Sequence, residues 1–209
     1  MEKVNFLTSD GLTIVGNWYP GNSNRVVICI HQNNSDKSSF EKLALELVKN
    51  EFNVLTIDLR GFGESKNNIN LETLDFNLMF NDLTAADEFV KTKITNPHVQ
   101  MIGSSIGANL AIQYQELNTL ASVIAIAPGL NYKNINPTDQ NLSNIATPIF
   151  FINSLEDKHV EETKKLFTDS GVSVKIKKIL LFPGSLHGMN LINESTQACG
   201  AVINWLNSH

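Results

Sequence analysis

The stretch VQMIGSSIGANLAIQYQ places Gly103, Ser104, Ser105, Ile106 and Gly107 between two different patterns. Before them runs a short apolar segment of the kind a buried strand needs. After them apolar residues recur at helical spacing. Gly-x-Ser-x-Gly at such a junction suits one chemical use. A sharp strand-to-helix turn lifts the Ser105 hydroxyl clear, and the glycines let strand and helix approach without side-chain collision. The same five residues would also serve as an ordinary glycine turn.

A serine hydroxyl is a weak nucleophile until a base takes its proton, and the base needs an acid to fix its tautomer. The chain has five histidines, His31, His98, His159, His187 and His209. His187, in LFPGSLHGMNL, follows the last strand pattern and is the base candidate. His98 precedes a strand and His159 opens a helix, so both read as surface residues. FFINSLEDKHV offers two acids, Glu156 and Asp157, just past the preceding strand. Either would orient a histidine, and both also suit the start of the next helix through its dipole.

The elements that must position these groups alternate. KVNFLTSDGLTIVGNWYPG reads as an antiparallel hairpin around Asp10-Gly11. RVVICI (25–30), NVLTID (53–58), VQMIG (99–103), SVIAIA (122–127), PIFFI (148–152) and KILLF (178–182) are continuous apolar runs, as strands covered on both faces require. Helical patterns lie at about 39–50, from Asp75 onward, and at about 105–116, 159–169 and 194–207. Strands alternating with helices imply right-handed βαβ units and a mostly parallel, doubly wound α/β sheet with helices on both faces. In such sheets ligands gather beyond the carboxyl ends of the strands, where Ser105, the acids and His187 all fall.

At 209 residues and 42% hydrophobic, the chain is long enough for one sizeable core, expected to be a single domain over 1–209. A net charge of −5 gives no footprint for nucleic acid or an anionic membrane surface. The apolar runs fall far short of a membrane span, and MEKVNFLTSDG lacks the basic and apolar regions of a secretory signal. Cys29 and Cys199 read as packing residues, no Cys/His zinc spacing is present, and the expected location is the reducing cytoplasm.

Five segments in order then resemble the α/β-hydrolase superfamily almost end to end. ICIHQNNSD is similar to the loop after that family's third strand, usually His-Gly-x-x, and IDLRGFGES to its Asp-x-Arg-Gly-x-Gly-x-Ser segment. GSSIG resembles the nucleophile elbow, and SLEDKHV and LHGMNL the acid and histidine loops. The resemblance selects Asp157 over Glu156 as the acid, completing Ser105, Asp157 and His187. It implies an oxyanion hole made by the backbone N–H groups of Asn33 and Ile106, and it requires no metal or cofactor. Asp58, Arg60 and Ser65 fall to structural roles in a turn. The departure is Gln32, where the family has glycine.

Only PGLNYKNINPTDQNLSNIAT separates SVIAIA from PIFFI, enough for a loop and one helical turn but not for a cap domain. The site is therefore expected to be open and shallow, with Gln32, Leu130, Tyr132 and Leu186 at its rim, as in small lidless esterases and the dienelactone hydrolase-like branch. The resemblance implies a serine hydrolase acting on a short acyl ester or thioester through an acyl-enzyme. Its rivals are a peptidase or acyl-amide hydrolase with the same triad, and a non-catalytic binding protein of this fold. The expected partner is a small-molecule acyl substrate, with no nucleic acid or membrane, on a monomer or homodimer.

Overall fold

The apolar runs become the strands β1 (Glu2–Leu7), β2 (Thr13–Tyr19), β3 (Arg25–Ile30), β4 (Asn53–Ile57), β5 (His98–Ser104), β6 (Ser122–Ile126), β7 (Ile149–Ser154) and β8 (Lys177–Phe182). A computed structural model, which describes residues 1–137, 146–171 and 176–209, joins them in one sheet of order β1-β2-β4-β3-β5-β6-β7-β8. β1 and β2 pair antiparallel, and β2 joins β4 antiparallel. From β4 through β8 every pairing is parallel. The hairpin loop spans five residues rather than a two-residue turn. Thr8 closes it, its N–H donating to the Leu12 carbonyl and its Oγ1 accepting from the Leu12 N–H, both at 2.9 Å.

Among the described residues, six α-helices cover the two faces: α1 (Glu41–Lys49), α2 (Met79–Lys93), α3 (Ile106–Leu117), α4 (Val160–Asp169), α5 (Met189–Glu194) and α6 (Thr196–Ser208). The period-two alternation of β3 divides its side chains between two cores. Val26, Ile28 and Ile30 pack with residues of α2, α3 and α4. Val27 and Cys29 pack with residues of α1, α5 and α6. Both faces are thus dry, which is why the strand reads as an unbroken apolar run. Each such buried aliphatic side chain stabilises the fold by about 1.5–3 kcal/mol relative to exposure.

The helix from Asp75 opens with a 3₁₀ turn, where the Asp75 carboxylate accepts the Asn77 N–H at 3.0 Å. The short α5 was not anticipated. It splits from α6 at Ser195, whose Oγ accepts the Ala198 N–H at 3.1 Å, and six residues are too few to display helical periodicity against a neighbouring helix. No separate cap stands over the sheet in the described residues. The helical turn expected within 128–147 falls partly on 138–145, outside those residues. No helix among them is long and apolar enough to cross a membrane. Cys29 is buried in β3, Cys199 is half-buried in α6, and both thiols are free.

Candidate functional site

Loops from five strands meet at the carboxyl edge of the sheet around a cavity of about 320 Å³. The loop after β3 contributes Gln32, Asn33 and Asn34, and the β5–α3 turn contributes Ser105. Tyr132 comes from the loop after β6, Lys158 and His159 from the loop after β7, and His187 from the loop after β8. A cavity of about 420 Å³ at the opposite edge, near Gln115, Thr119 and Pro148, holds no histidine and no hydroxyl on a strained turn.

Ser105 has φ 54° and ψ −116°, a backbone conformation that costs on the order of 1–3 kcal/mol in a non-glycine residue. Its surroundings impose that shape. The Ser105 N–H donates to the Ile126 carbonyl at 2.8 Å, and its own carbonyl accepts from Ala108 and Asn109 at 2.9 and 3.2 Å. A Cβ on Gly103 would collide with the Gly107 carbonyl, and one on Gly107 with the carbonyls of Ile30 and His31. The two glycines therefore let strand, turn and helix share one corner. Ile106 is the first residue of α3, so its N–H has no carbonyl four residues earlier within the helix.

His187 Nδ1 lies 2.7 Å from Asp157 Oδ2. The other carboxylate oxygen, Oδ1, accepts the His159 N–H at 2.7 Å, and Asp157 is only 4% exposed. Glu156 is exposed, and its N–H donates to the Gly184 carbonyl at 2.9 Å. Asp157, not Glu156, is the acid that meets the histidine. This bond assigns the proton to Nδ1 in the neutral imidazole and leaves Nε2 as the acceptor. Nε2 makes no hydrogen bond among the described residues, and it belongs to the same cavity as Ser105.

Gln32 takes a place that a glycine could not fill. Its Oε1 accepts from Ser104 Oγ at 2.9 Å and from the Met189 N–H at 3.0 Å. One carboxamide thus ties the loop after β3 to the serine turn and to the histidine loop. Gly188, at φ +59°, gives way to it, because a Cβ there would strike both Gln32 Oε1 and Ser104 Oγ. His31, beneath that loop, is fully buried. The Leu59 N–H donates to its Nε2 at 3.1 Å, so Nδ1 carries the proton and donates to the Gln32 carbonyl at 2.7 Å. Burial holds the His31 pKa below its ordinary value against the opposing pull of the Gln32 carbonyl, and the bond from Leu59 needs the neutral ring.

The rim differs from expectation in three places. Leu130 is 37% exposed and lies outside the cavity lining, its N–H donating to Glu162 Oε2 at 2.6 Å. Leu186 turns inward onto the core beneath α1, α5 and α6, with its carbonyl held by Ser154 Oγ at 2.6 Å. His159 is not a surface residue. Its ring lines the cavity, stacks edge-on against Tyr132 with centroids 5.0 Å apart, and lies 5.9 Å from the His187 ring. Its Nδ1 is 2.8 Å from Glu162 Oε1. Burial pushes the Glu162 carboxyl up, but His159 and the Leu130 N–H outweigh it and leave Glu162 below its ordinary value.

Tyr132 and Gln32 do line the cavity. Burial pushes the Tyr132 phenol well above its usual range, so it stays a neutral hydroxyl; it interacts with Ser105 and donates to the Ala127 carbonyl at 3.3 Å. The loop that carries it is pinned by the buried Asn109, whose Nδ2 donates to the Gly129 and Ile135 carbonyls, each at 2.9 Å. Asn109 is invisible in sequence as anything but a helix residue. His159 had a signal, its position two residues beyond the acid in a strand-end loop.

Asp58, Arg60 and Ser65 lie below this surface. Asp58 accepts from Lys37 Nζ at 2.6 Å and from the Glu64 N–H at 2.9 Å, and Ser65 Oγ accepts the Val15 N–H at 2.8 Å. Arg60 is clamped between Asp10 and Asp82 at 2.6 and 2.7 Å.

Residues 21–143, more than half of the chain and including the strained serine, match the family model described as serine aminopeptidase, S33. The chain belongs to this α/β-hydrolase family. The Salmonella typhi protein YfhR is 30% identical over 117 residues, covering 52% of this chain and 38% of that protein. The chain thus spans well under half of that relative's length. Among solved structures, a Pyrococcus furiosus esterase superposes with TM-score 0.83 at 20% identity, covering 99% of this chain and 92% of the esterase. A dienelactone hydrolase from Anabaena variabilis gives TM-score 0.77 at 17% identity, covering 97% of this chain and 94% of that one. At such identities the agreement is one of fold.

Proposed function

We propose that this S33-family protein is a serine hydrolase that cleaves short acyl esters or thioesters. The observation that carries the reading is the meeting of two residues in one cavity, Ser105 on a strained turn and His187, whose Nδ1 is held from behind by the buried Asp157. His187 Nε2 takes the Ser105 proton as the oxygen attacks the acyl carbonyl. The Ile106 and Asn33 N–H groups receive the negative charge that develops on the carbonyl oxygen. His187 then gives its proton to the departing alcohol or thiol. Water, activated by the same imidazole, releases the acid and restores Ser105. Asp157 keeps the imidazole in the required tautomer throughout.

The family description favours a second reading, removal of an N-terminal residue from a peptide. A free α-ammonium group is best held by a carboxylate facing the substrate. Asp157 is committed to His187 and the His159 N–H, Glu162 to His159 and the Leu130 N–H, and neither lines the cavity. The ester reading therefore stands first. Its test is hydrolysis of a short-chain 4-nitrophenyl ester by wild type and Ser105→Ala, alongside the 4-nitroanilide of the same acyl group. Ester turnover that disappears with Ser105 supports the proposal. Full turnover by Ser105→Ala, or an anilide rate above the ester rate, contradicts it.

A further inference from the structure

The cavity beside Ser105 has an unusual lining for an acyl-binding site. Among the described residues, those that line it beside Ser105 bring three carboxamides, two imidazoles, a phenol and one lysine, Lys158, with no carboxylate and no aliphatic residue. An acyl group rich in CH₂ would gain little here, because apolar surface is stabilised by apolar walls.

Lys158 is the lysine that lines this cavity. Most lysines are engaged: Lys3 with Glu64, Lys37 with Asp58, Lys49 with Glu46, Lys91 with Asp87 and Lys164 with Glu161. Lys133 and Lys178 lie over the rings of Phe76 and Phe150. Among the described residues, Lys158 makes no ion pair and no side-chain hydrogen bond. Its two nearest acidic neighbours in sequence are not paired with it: Asp157 is turned inward to His187, and Glu156 is exposed.

The backbone around Lys158 is fixed on both sides. The Asp157 N–H donates to the Ser154 carbonyl at 3.2 Å and the His159 N–H to the Asp157 carboxylate at 2.7 Å. The main chain therefore sets Lys158 at the cavity lining, with the residue itself exposed. Across the same cavity, Asn33 and Asn34 add amide donors.

We infer that the substrate is a small ester carrying a carboxylate, and that Lys158 is the specificity-determining residue that receives it. The inference rests on the proposed serine hydrolase activity and adds the charge of the substrate to it. A unit charge pair at about 4 Å is worth about 1 kcal/mol in water and more where solvent is partly excluded, which sets an expected selectivity of about tenfold. The charge sits either on the acyl group or on the leaving alcohol; the chemistry of recognition is the same.

The test compares matched esters of equal reach. Monomethyl succinate against methyl butanoate places the charge on the acyl side, and O-acetylglycolate against propyl acetate places it on the alcohol side. The reading is the ratio of kcat/KM, charged over neutral, for wild type, Lys158→Met and Lys158→Glu. Fluorophosphonate labelling of each protein runs in parallel to report the serine chemistry independently. The proposal expects a ratio of about ten in one arm, which identifies the side that carries the charge. It expects that ratio to fall about tenfold in Lys158→Met, to drop further in Lys158→Glu, and to shrink as salt is added. A ratio at or below one in both arms, or one that neither variant moves, overturns it while labelling still reports an active serine. Loss of both labelling and ester turnover in folded wild-type protein would instead remove the hydrolase reading, and the proposal with it.

Discussion

Asp82 and Asp157 are equally hidden from water, with side-chain exposures of 0% and 2%, and a basic nitrogen holds each at 2.7 Å. Their partners differ. Arg60 is 1% exposed and has Asp10 on its other side, whereas the His187 side chain is 29% exposed and opens onto a cavity. In the first cluster one guanidinium serves two carboxylates. Arg60 holds Asp10 well below the usual carboxylate range, while burial pushes Asp82 up to about 6 against the pull of Arg60. All of the Arg60 side chain is spent on these two carboxylates, and the cavity beside Ser105 does not open onto it. In the second, the acid is locked and the base is left with one nitrogen free. The same device, a buried carboxylate on a basic partner, thus makes a structural clamp in one place and, under the proposed hydrolase reading, a poised base in the other.

This contrast can be broken at either end. The largest expected effect is that of Asp157→Asn. It keeps the shape of the site but favours the wrong imidazole tautomer, and kcat for ester hydrolysis should drop by roughly 10⁴-fold with little change in the urea midpoint. Arg60→Met should do the opposite. It strands Asp82 in the core, costs about 3–5 kcal/mol of stability by urea titration, and leaves kcat per folded molecule near that of wild type. If the two variants exchanged these outcomes, the division into clamp and poised base would be wrong.

Gln32→Ala should have an intermediate effect. Ser104 Oγ and the Met189 N–H lose their shared acceptor, which costs about 1–3 kcal/mol. Because those groups flank Ser105 and His187, the proposed reading expects kcat to fall about tenfold or more with KM little changed.

The smallest effect concerns His31. Its folded pKa lies below the ordinary 6.5 because burial disfavours the imidazolium. As pH falls through 6.5 the unfolded chain takes up a proton that the folded chain refuses, so this contribution to stability is present above 6.5 and lost below it. The slope approaches about 1.4 kcal/mol per pH unit. Urea midpoints of wild type between pH 7 and 5 should fall more steeply than those of His31→Gln.

Much of this was legible in the chain itself. The parallel strands announced themselves because both faces are covered, and Gly103, Ser105 and Gly107 because the serine turn needs small residues at fixed offsets. His187 stood out because it lies just past a recognisable strand; Glu156 and Asp157 share such a place, and only the family resemblance chose between them. The misses share a different origin. Gln32 is explained only by Ser104 and Met189, which are 72 and 157 residues away in sequence. Leu186 and His159 exchanged their expected inside and outside places because loop backbones, pinned by Ser154 Oγ and by the Asp157 carboxylate, set their directions. Periodicity carries no information about such turns. The short α5 escaped for the same reason.

The central claim is that Ser105 is an activated nucleophile served by His187. The most direct measurement is intact-mass detection of a fluorophosphonate adduct on wild type, Ser105→Ala and His187→Ala. The account predicts a single adduct on wild type, none on Ser105→Ala, and labelling slowed by orders of magnitude on His187→Ala. A well-folded wild-type protein that forms no adduct, or one that labels equally well without Ser105, would contradict it.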